Sequence, residues 1–346
     1  MTLVILYEEI AGYFISCLNH FAEHNEVDIL LFQKKPNAVA PFELKLHSKI
    51  KLYNREDYDQ IALTNLINDI EPTAIFSGGW SYKPYLNICS SYNNSIPVCV
   101  GFDNQWNGNL KQRLVSLFGK SFIKKHFNRC FVPGEKQKTF AEKLGFKSDQ
   151  ISLNAYCCDH NLFSELYQTY KLTETNDLPK RLLYVGRYAS EKGIETLWQA
   201  FTEIESSYDW ELWCVGKGDI TPISHPKIKH LGFIQPHEMD QIIENTSVMV
   251  LPSSFEPWGV VVHEYATAGY PLICSKEVGA SELFIEEGIN GFLFDSGNVD
   301  QLKFNLKKIF ELDTPSLLEM SKNSHSISKK ITNEIWSQTF FKVLSD

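Results

Sequence analysis

The chain has 346 residues, 43% of them hydrophobic and 22% charged, which suits two folded domains and excludes disorder, collagen and coiled coil. Its net charge of −9 speaks against a basic nucleic-acid binder. No uncharged apolar run approaches the roughly 18–20 residues of a membrane span, and the opening MTLVILYEEIAGYF lacks a basic leader and reaches Glu8 and Glu9 early, so it reads as a core strand.

In chain order, strands are predicted at 2–7, 27–32, 73–77, 97–100 and 129–132, then at 181–186, 210–215, 247–251, 271–274 and 291–294. Helical patterns fall between them, among others at 10–24, 56–70, 134–144, 193–205, 236–245 and 298–311. Such alternation means βαβ units, and runs as apolar as LLYVG and VMVLP mean parallel strands covered on both faces. The polar stretch 164–180, ending at Pro179, is the predicted linker. The expected fold class is α/β, two Rossmann-like domains facing a central cleft. The first domain is placed at 1–165, rejoined by a C-terminal helix at 328–346, and the second at 175–325. Ligands of open parallel sheets bind beyond the carboxyl ends of the strands.

Eight cysteines, Cys17, Cys89, Cys99, Cys130, Cys157, Cys158, Cys214 and Cys274, form no CxxC pair, which fits a reducing cytoplasm. No Cys/His group has zinc-ligand spacing, so no metal site is expected. His20 and His24, four apart on a helix, read as a solvated helix face rather than a metal pair.

The first strand is followed by Tyr7-Glu8-Glu9-Ile10-Ala11-Gly12, so the GxGxxG dinucleotide fingerprint is missing, and no Walker A sequence exists. Gly216-Lys217-Gly218 reads as a turn. Arg187 and Lys192, after the strand RLLYVG and beside a helix start, form either a diphosphate clamp or ordinary loop charges. The strongest segment is 254–264, SFEPWGVVVHE, between the strand VMVLP and a helix ending near Gly269. Gly259 lets the backbone turn closely, the helix start offers amides to an anion, and Glu256 and Glu264 suit paired hydroxyls of a sugar and a ribose. Glu264 is flanked by apolar residues, and a buried carboxylate needs a partner.

The ordered segments GRYASEKG (186–193), VGKGD (215–219), LGFI (231–234), Glu256–Glu264 and EVGASELFIEEGINGFLF (277–294) resemble the GT-B-fold, GT4-type retaining glycosyltransferases (glycosyl transferases group 1). The first half matches only in outline, through CFVPGEKQKTFAEKLGF (130–146), Asn154-Ala155-Tyr156 and Asp159. The resemblance implies that Arg187 and Lys192 neutralise the leaving diphosphate, that Glu256 holds donor-sugar hydroxyls and that Glu264 holds the ribose. It further implies that amides around Trp258-Gly259-Val260 meet the phosphates and that backbone near Phe233 meets the base. Gly12, Gly186 and Pro257 complete the implied donor-binding set. It implies a metal-independent hexosyltransferase with no cofactor, a UDP or GDP sugar as donor, and front-face transfer in which the leaving phosphate helps accept the acceptor's proton.

Two positions depart from the family pattern. The first-strand loop holds only Gly12 where relatives carry paired glycines. Where many relatives carry a His after the fourth N-domain strand, this chain reads Gly101-Phe102-Asp103-Asn104-Gln105-Trp106. Asp103 either orients an acceptor or donor hydroxyl, as a fourth catalytic residue beside Arg187, Lys192 and Glu256, or caps a helix beginning near Asn107.

Residues 109–129 contain six Lys/Arg and no acid. With Leu110, Leu114, Leu117, Phe118, Phe122 and Phe127 on roughly one side, the segment is either a basic amphipathic helix for an anionic membrane surface or a domain helix whose apolar face meets the core. The expected function is retaining transfer of a sugar to a hydroxyl of a glycan or lipid-linked glycan in bacterial surface polysaccharide synthesis. The expected location is the cytoplasm, on the inner face of the cytoplasmic membrane if the basic helix binds lipid. The competing readings are a GT-B sugar-nucleotide epimerase and a non-catalytic glycosyltransferase-like subunit.

Overall fold

The computed structural model describes residues 1–35, 45–171 and 178–345; within this set the side chains of Lys111 and Phe118 are not described. The chain divides into two compact units, Met1–Cys157 with Ile331–Asp346, and Cys158–Lys330.

The first unit is a seven-stranded parallel sheet of β1 (Thr2–Leu6), β2 (Asp28–Gln33), β3 (Ile50–Asn54), β4 (Ala74–Ser77), β5 (Val98–Gly101), β6 (Arg129–Phe131) and β7 (Ile151–Ser152), in the order β3-β2-β1-β4-β5-β6-β7. Strand β1 is buried without a break from Leu3 to Leu6, as expected of a central strand covered on both faces. Helix α1 (Gly12–His24) packs against α13 (Asn333–Ser345), which returns to this unit from the far end of the chain. The anchors of α13 are Trp336 and Phe340, both fully buried. Phe14 stands edge-on to Trp336 at 5.6 Å, and the Trp336 indole donates to the Ala155 carbonyl at 2.8 Å.

The second unit is a six-stranded parallel sheet of β8 (Arg181–Val185), β9 (Glu211–Val215), β10 (Ile228–Gly232), β11 (Val248–Leu251), β12 (Leu272–Ser275) and β13 (Gly291–Phe294), ordered β10-β9-β8-β11-β12-β13. In both sheets the chain winds outward in one direction, returns to the centre and winds the other way. This creates a switch point between β1 and β4 in the first unit and between β8 and β11 in the second, where such sheets bind ligands.

Three strands, β3, β7 and β10, were not expected, and all three lie at sheet edges. Edge strands are half-exposed and carry polar residues, as in IKLYN and IKHLG, so they lack the continuous apolar signal.

The linker expectation also needs correcting. Residues 164–170 belong to helix α6 (His160–Tyr170), which buries Phe163, Leu166 and Tyr167. Phe163 meets Tyr265 at 6.1 Å, and Tyr167 stacks on His325 of α12 (Thr314–Ser328) at 4.0 Å. The polar letters Glu165, Gln168 and Thr169 are its outer face. The division therefore falls at Cys157/Cys158 rather than near 165, and at Lys330/Ile331 on the return. Residues 172–177 of the expected linker lie outside the described residues.

All eight cysteines are buried, and none is in a disulfide. Among the described residues, no helix is long and apolar enough to cross a membrane.

Candidate active site

In the second unit the loops after β8, β9, β10 and β11 press together at the switch point. An added Cβ at Gly216 (φ +136°) would lie 1.9 Å from the Gly186 carbonyl, and one at Gly218 2.2 Å from that of Tyr188. Backbone bonds Gly186 N–H to Val215 O (3.0 Å), Tyr188 N–H to Lys217 O (3.1 Å) and Gly216 N–H to Gly232 O (2.7 Å) tie these loops edge to edge. The turn expected at 216–218 is therefore also a close backbone contact. Phe233, half-buried, directly follows Gly232.

Lys192 ends a short 3₁₀ turn at Gly193 (φ +65°), where a Cβ would stand 2.2 Å from the Pro252 carbonyl. The Ser254 and Phe255 amides both donate to Glu191 O, at 2.8 and 3.2 Å. The loop after β8 is thus strapped to the loop after β11, which brings the Lys192 ammonium onto the Glu256 carboxylate in an ion pair. These side chains are only 19% and 15% exposed. Arg187, by contrast, is 68% exposed and holds Glu191 at 2.8 Å. The two expected clamp cations are therefore each engaged by a different carboxylate.

Residues 256–258 are pinned from the other side, since Gly279 N–H donates to Glu256 O (3.0 Å) and Ala280 N–H to Trp258 O (2.8 Å). The Trp258 side chain is buried, so it anchors the loop and leaves backbone for any ligand. Helix α9 (Val260–Thr267) then starts at Gly259 (φ +90°). Val262 N–H bonds Gly259 O, while the Val260 and Val261 amides have no partner within the helix. The positive helix end and the Lys192 ammonium together make this loop attractive to an anion.

Glu264 lies in the second turn of α9. Burial pushes its carboxyl up to about 7, and the nearby charge of Asp159 adds to the rise. Asp159 also caps α6, accepting from the Leu162 amide at 3.3 Å. Beside it, His263 is fully buried: its Nδ1 accepts from the Cys158 amide (3.2 Å) and its Nε2 donates to Ser328 O (3.0 Å). With both nitrogens engaged, His263 serves to lock α9 in place.

In the first unit, Gly12 opens α1 with open space where a Cβ would stand, so no close contact requires glycine there. A glycine pair does occur, after β4: a Cβ on Gly78 would strike the Tyr7 ring at 2.4 Å, and Gly79 has φ +106°. Asp103 follows β5 and is half-buried. It is not the helix cap: Asn109 caps α4 (Leu110–His126), accepting from the Gln112 amide at 2.8 Å. Instead the Asp103 charge faces three phenols. Tyr7, Tyr13 and Tyr156 are raised above the usual phenol range, first by burial and further by Asp103, and Tyr13 packs against Tyr156 at 5.4 Å. From sequence, Tyr156 and Asp159 enter only as outline matches of the first half, and Tyr7 and Tyr13 carry no site role; Tyr7 directly follows β1, Tyr13 lies in the first turn of α1, and Asp159 is the α6 cap.

Helix α4 exposes most of its described apolar residues: Leu110 is 79% accessible, Leu114 58% and Leu117 72%. Only Ile123, and Phe127 just beyond the helix, are fully buried. Arg113, Lys120, Lys124 and Lys125 share this exposed surface.

Residues 171–327 match the family profile described as glycosyl transferases group 1. The chain is 29% identical over 143 residues to an uncharacterised glycosyltransferase of Methanocaldococcus jannaschii, covering 38% of this chain and 36% of the relative. It is 28% identical over 212 residues to the capsular polysaccharide biosynthesis glycosyltransferase CapM of Staphylococcus aureus, covering 58% and 53%. The chain thus spans about half or less of the length of these curated relatives. Among solved structures, Anabaena Alr3699/HepE in complex with UDP and glucose aligns over 100% of this chain and 99% of its own, with a TM-score of 0.72 at 16% identity.

Proposed function

We propose that this chain, whose residues 171–327 belong to glycosyl transferases group 1 on a GT-B fold, is a retaining, metal-independent glycosyltransferase acting on a UDP or GDP sugar. The observation that carries this reading is the Lys192–Glu256 pair beside the start of α9, with Glu264 deeper in the same helix. Lys192, Arg187 and the first amides of α9 take the diphosphate charge. Glu264 accepts from the ribose hydroxyls. Glu256 passes from Lys192 to hydroxyls of the donor sugar. The complex of the Anabaena relative with UDP and glucose supports a donor of this type.

In the transfer step the bond from the anomeric carbon to the phosphate oxygen breaks. The acceptor oxygen bonds to that carbon on the same face, and its proton passes to the leaving phosphate. Lys192 and Arg187 stabilise the charge that develops there. Asp103 orients a hydroxyl in the first unit. The acceptor is a glycan or lipid-linked glycan hydroxyl; relatives named for capsular polysaccharide and lipopolysaccharide synthesis support this class. The exposed apolar and basic face of α4 fits an anionic membrane surface, placing the enzyme on the inner face of the cytoplasmic membrane.

Thermal-shift titration with UDP, GDP, dTDP, CMP and their sugars tests the reading. A ligand at 100 times its Kd stabilises by about 2.7 kcal/mol. One nucleotide diphosphate should raise Tm, its sugar should raise it further, and Glu256→Ala should lose only the second increment. No shift with any of these ligands refutes the reading.

A further inference from the structure

Three loops at the carboxyl edge of the first sheet meet on one carboxylate. Glu8 stands two residues beyond β1, Arg55 directly follows β3, and Ser81 lies in the loop after β4. Arg55 Nη1 donates to Glu8 Oε1 at 2.8 Å, and the Ser81 hydroxyl donates to the same oxygen at 3.1 Å. Among the described residues no hydrogen bond reaches Glu8 Oε2. The pair is lopsided: the Arg55 side chain is 11% exposed and that of Glu8 42%. The Arg55 guanidinium stacks over the Tyr82 ring at 4.1 Å and lies 5.7 Å from that of Tyr85. Tyr85 is itself buried, and its hydroxyl donates to the Phe32 carbonyl at 3.2 Å. The cation is thus packed into the protein and the anion presented to solvent.

A surface ion pair contributes little stability by itself. Here the guanidinium and the hydroxyl fix the carboxylate in place before any ligand arrives. Arg55, hydrogen-bonded to it, also holds the Glu8 carboxyl below the usual carboxylate range, so at neutral pH it only accepts hydrogen bonds. Aromatic surface lies alongside. Trp80, half-buried, precedes Ser81 and meets Phe102 edge-on at 5.0 Å. That contact joins the loop after β4 to the loop after β5, where Asp103 follows Phe102. Strands β1 and β4 flank the switch point of this sheet, where ligands bind. A fixed carboxylate beside aromatic rings suits a sugar ring, which carries hydroxyl donors on its edge and apolar C–H groups on its faces.

We propose that Glu8, fixed by Arg55 and Ser81 and bordered by Trp80 and Tyr82, holds a sugar ring of the acceptor, its Oε2 accepting hydrogen bonds from a neighbouring pair of hydroxyls. This rests on the chain being a glycosyltransferase, and it locates acceptor choice in the first unit. A site built around a hydroxyl discriminates strongly against an analogue that lacks it, so Glu8 selects the hydroxyl pattern of the acceptor. Arg55 is a positioning residue that acts through Glu8.

The test is saturation-transfer NMR on the full chain with the methyl pyranosides of glucose, galactose, mannose and N-acetylglucosamine, alongside titration with UDP and GDP. At least one glycoside should receive saturation from aromatic protons. Its affinity should fall about tenfold or more in Glu8→Ala and Glu8→Gln, with nucleotide affinity unchanged. Ser81→Ala, at an exposed position, should weaken it too. Arg55→Ala should move the loss of glycoside binding to a higher pH than in the wild type, because Glu8 then titrates in the ordinary carboxylate range; a merely structural Arg55 leaves the pH profile in place. Glu256→Ala should leave glycoside binding intact, which separates this site from that of the donor sugar. No saturation of any glycoside while a nucleotide binds, or binding undiminished in Glu8→Ala and Ser81→Ala, overturns this site and spares the transferase reading. Failure of both nucleotides to bind counts against that reading instead.

Discussion

Replacing Glu264 by Gln should make the protein more stable at neutral pH and worse at binding nucleotide. The carboxyl titrates near 4.5 when exposed and near 7 in the fold, where burial and Asp159 disfavour its charge. Between those values the unfolded chain has released its proton and the folded chain still holds it, so raising the pH favours unfolding. Below about pH 4.5 Glu264 costs nothing; above about pH 7 it costs its full amount. At 1.36 kcal/mol per unit, the rise corresponds to about 3 kcal/mol. The carboxyl is only part-buried by surface area, so partial solvent access brings the expected effect to about 1–3 kcal/mol. For a unit of this size that is a Tm gain of about 2–4 °C per kcal/mol. Gln copies the protonated acid, so the variant should gain this Tm at pH 8 and nothing at pH 4.5. Its amide cannot accept from two ribose hydroxyls as a carboxylate does, so nucleotide affinity should fall. In the wild type, nucleotide binding near pH 6.5 should release a proton, because hydroxyl donors favour the charged form. Melting curves and calorimetry across pH 4.5–8 check this. A variant less stable than wild type at pH 8, or a gain that persists unchanged at pH 4.5, refutes the reasoning.

Lys192→Ala and Arg187→Ala should each lower turnover by about 10²-fold, as steady-state transfer assays will read, because both act on charge developing at the leaving diphosphate. The loss at Lys192 should be the larger, since it also leaves the part-buried Glu256 without its cation, whereas Arg187 is exposed. The chain should co-sediment with anionic vesicles at low salt and not with neutral ones. Replacing Lys120, Lys124 and Lys125 by Glu should abolish this while sparing transfer to a soluble acceptor, because each basic residue at such a surface contributes about 1 kcal/mol.

The nine inner strands were legible because burial on both faces forces them to be apolar, and so was the edge strand β13, whose GFLF carries no polar side chain; the edge strands β3 and β10, with polar residues on their exposed sides, and the two-residue β7 were not. Helix α6 was mistaken for linker since its buried stripe of Phe163, Leu166 and Tyr167 is diluted by polar residues that face solvent. The loop 254–264 announced itself through residue types that a turn and a helix start require, and the structure assembles it with Gly186 and Lys192 as neighbouring loops. What spacing cannot carry is pairing. Nothing local says that Lys192 will find Glu256 or that the charge of Asp103 will act on Tyr7, Tyr13 and Tyr156, because those pairings depend on strand order across the sheet, whereas Arg187 and Glu191, four residues apart, pair within one loop. The apolar residues of α4 illustrate the same limit. Their periodicity is visible, yet whether that stripe meets a core or water depends on what the rest of the chain leaves uncovered.

The return of α13 to the first unit dictates an order of events during synthesis. Residues 158–330 form one uninterrupted stretch, so the second unit has every residue it needs before residues 331–346 leave the ribosome. The first unit, although translated earlier, must wait with Phe14, Phe21 and Phe131 uncovered until Trp336 and Phe340 arrive to close over them. The unit begun first is therefore closed after the unit begun second, and until then its uncovered aromatic face is open to aggregation.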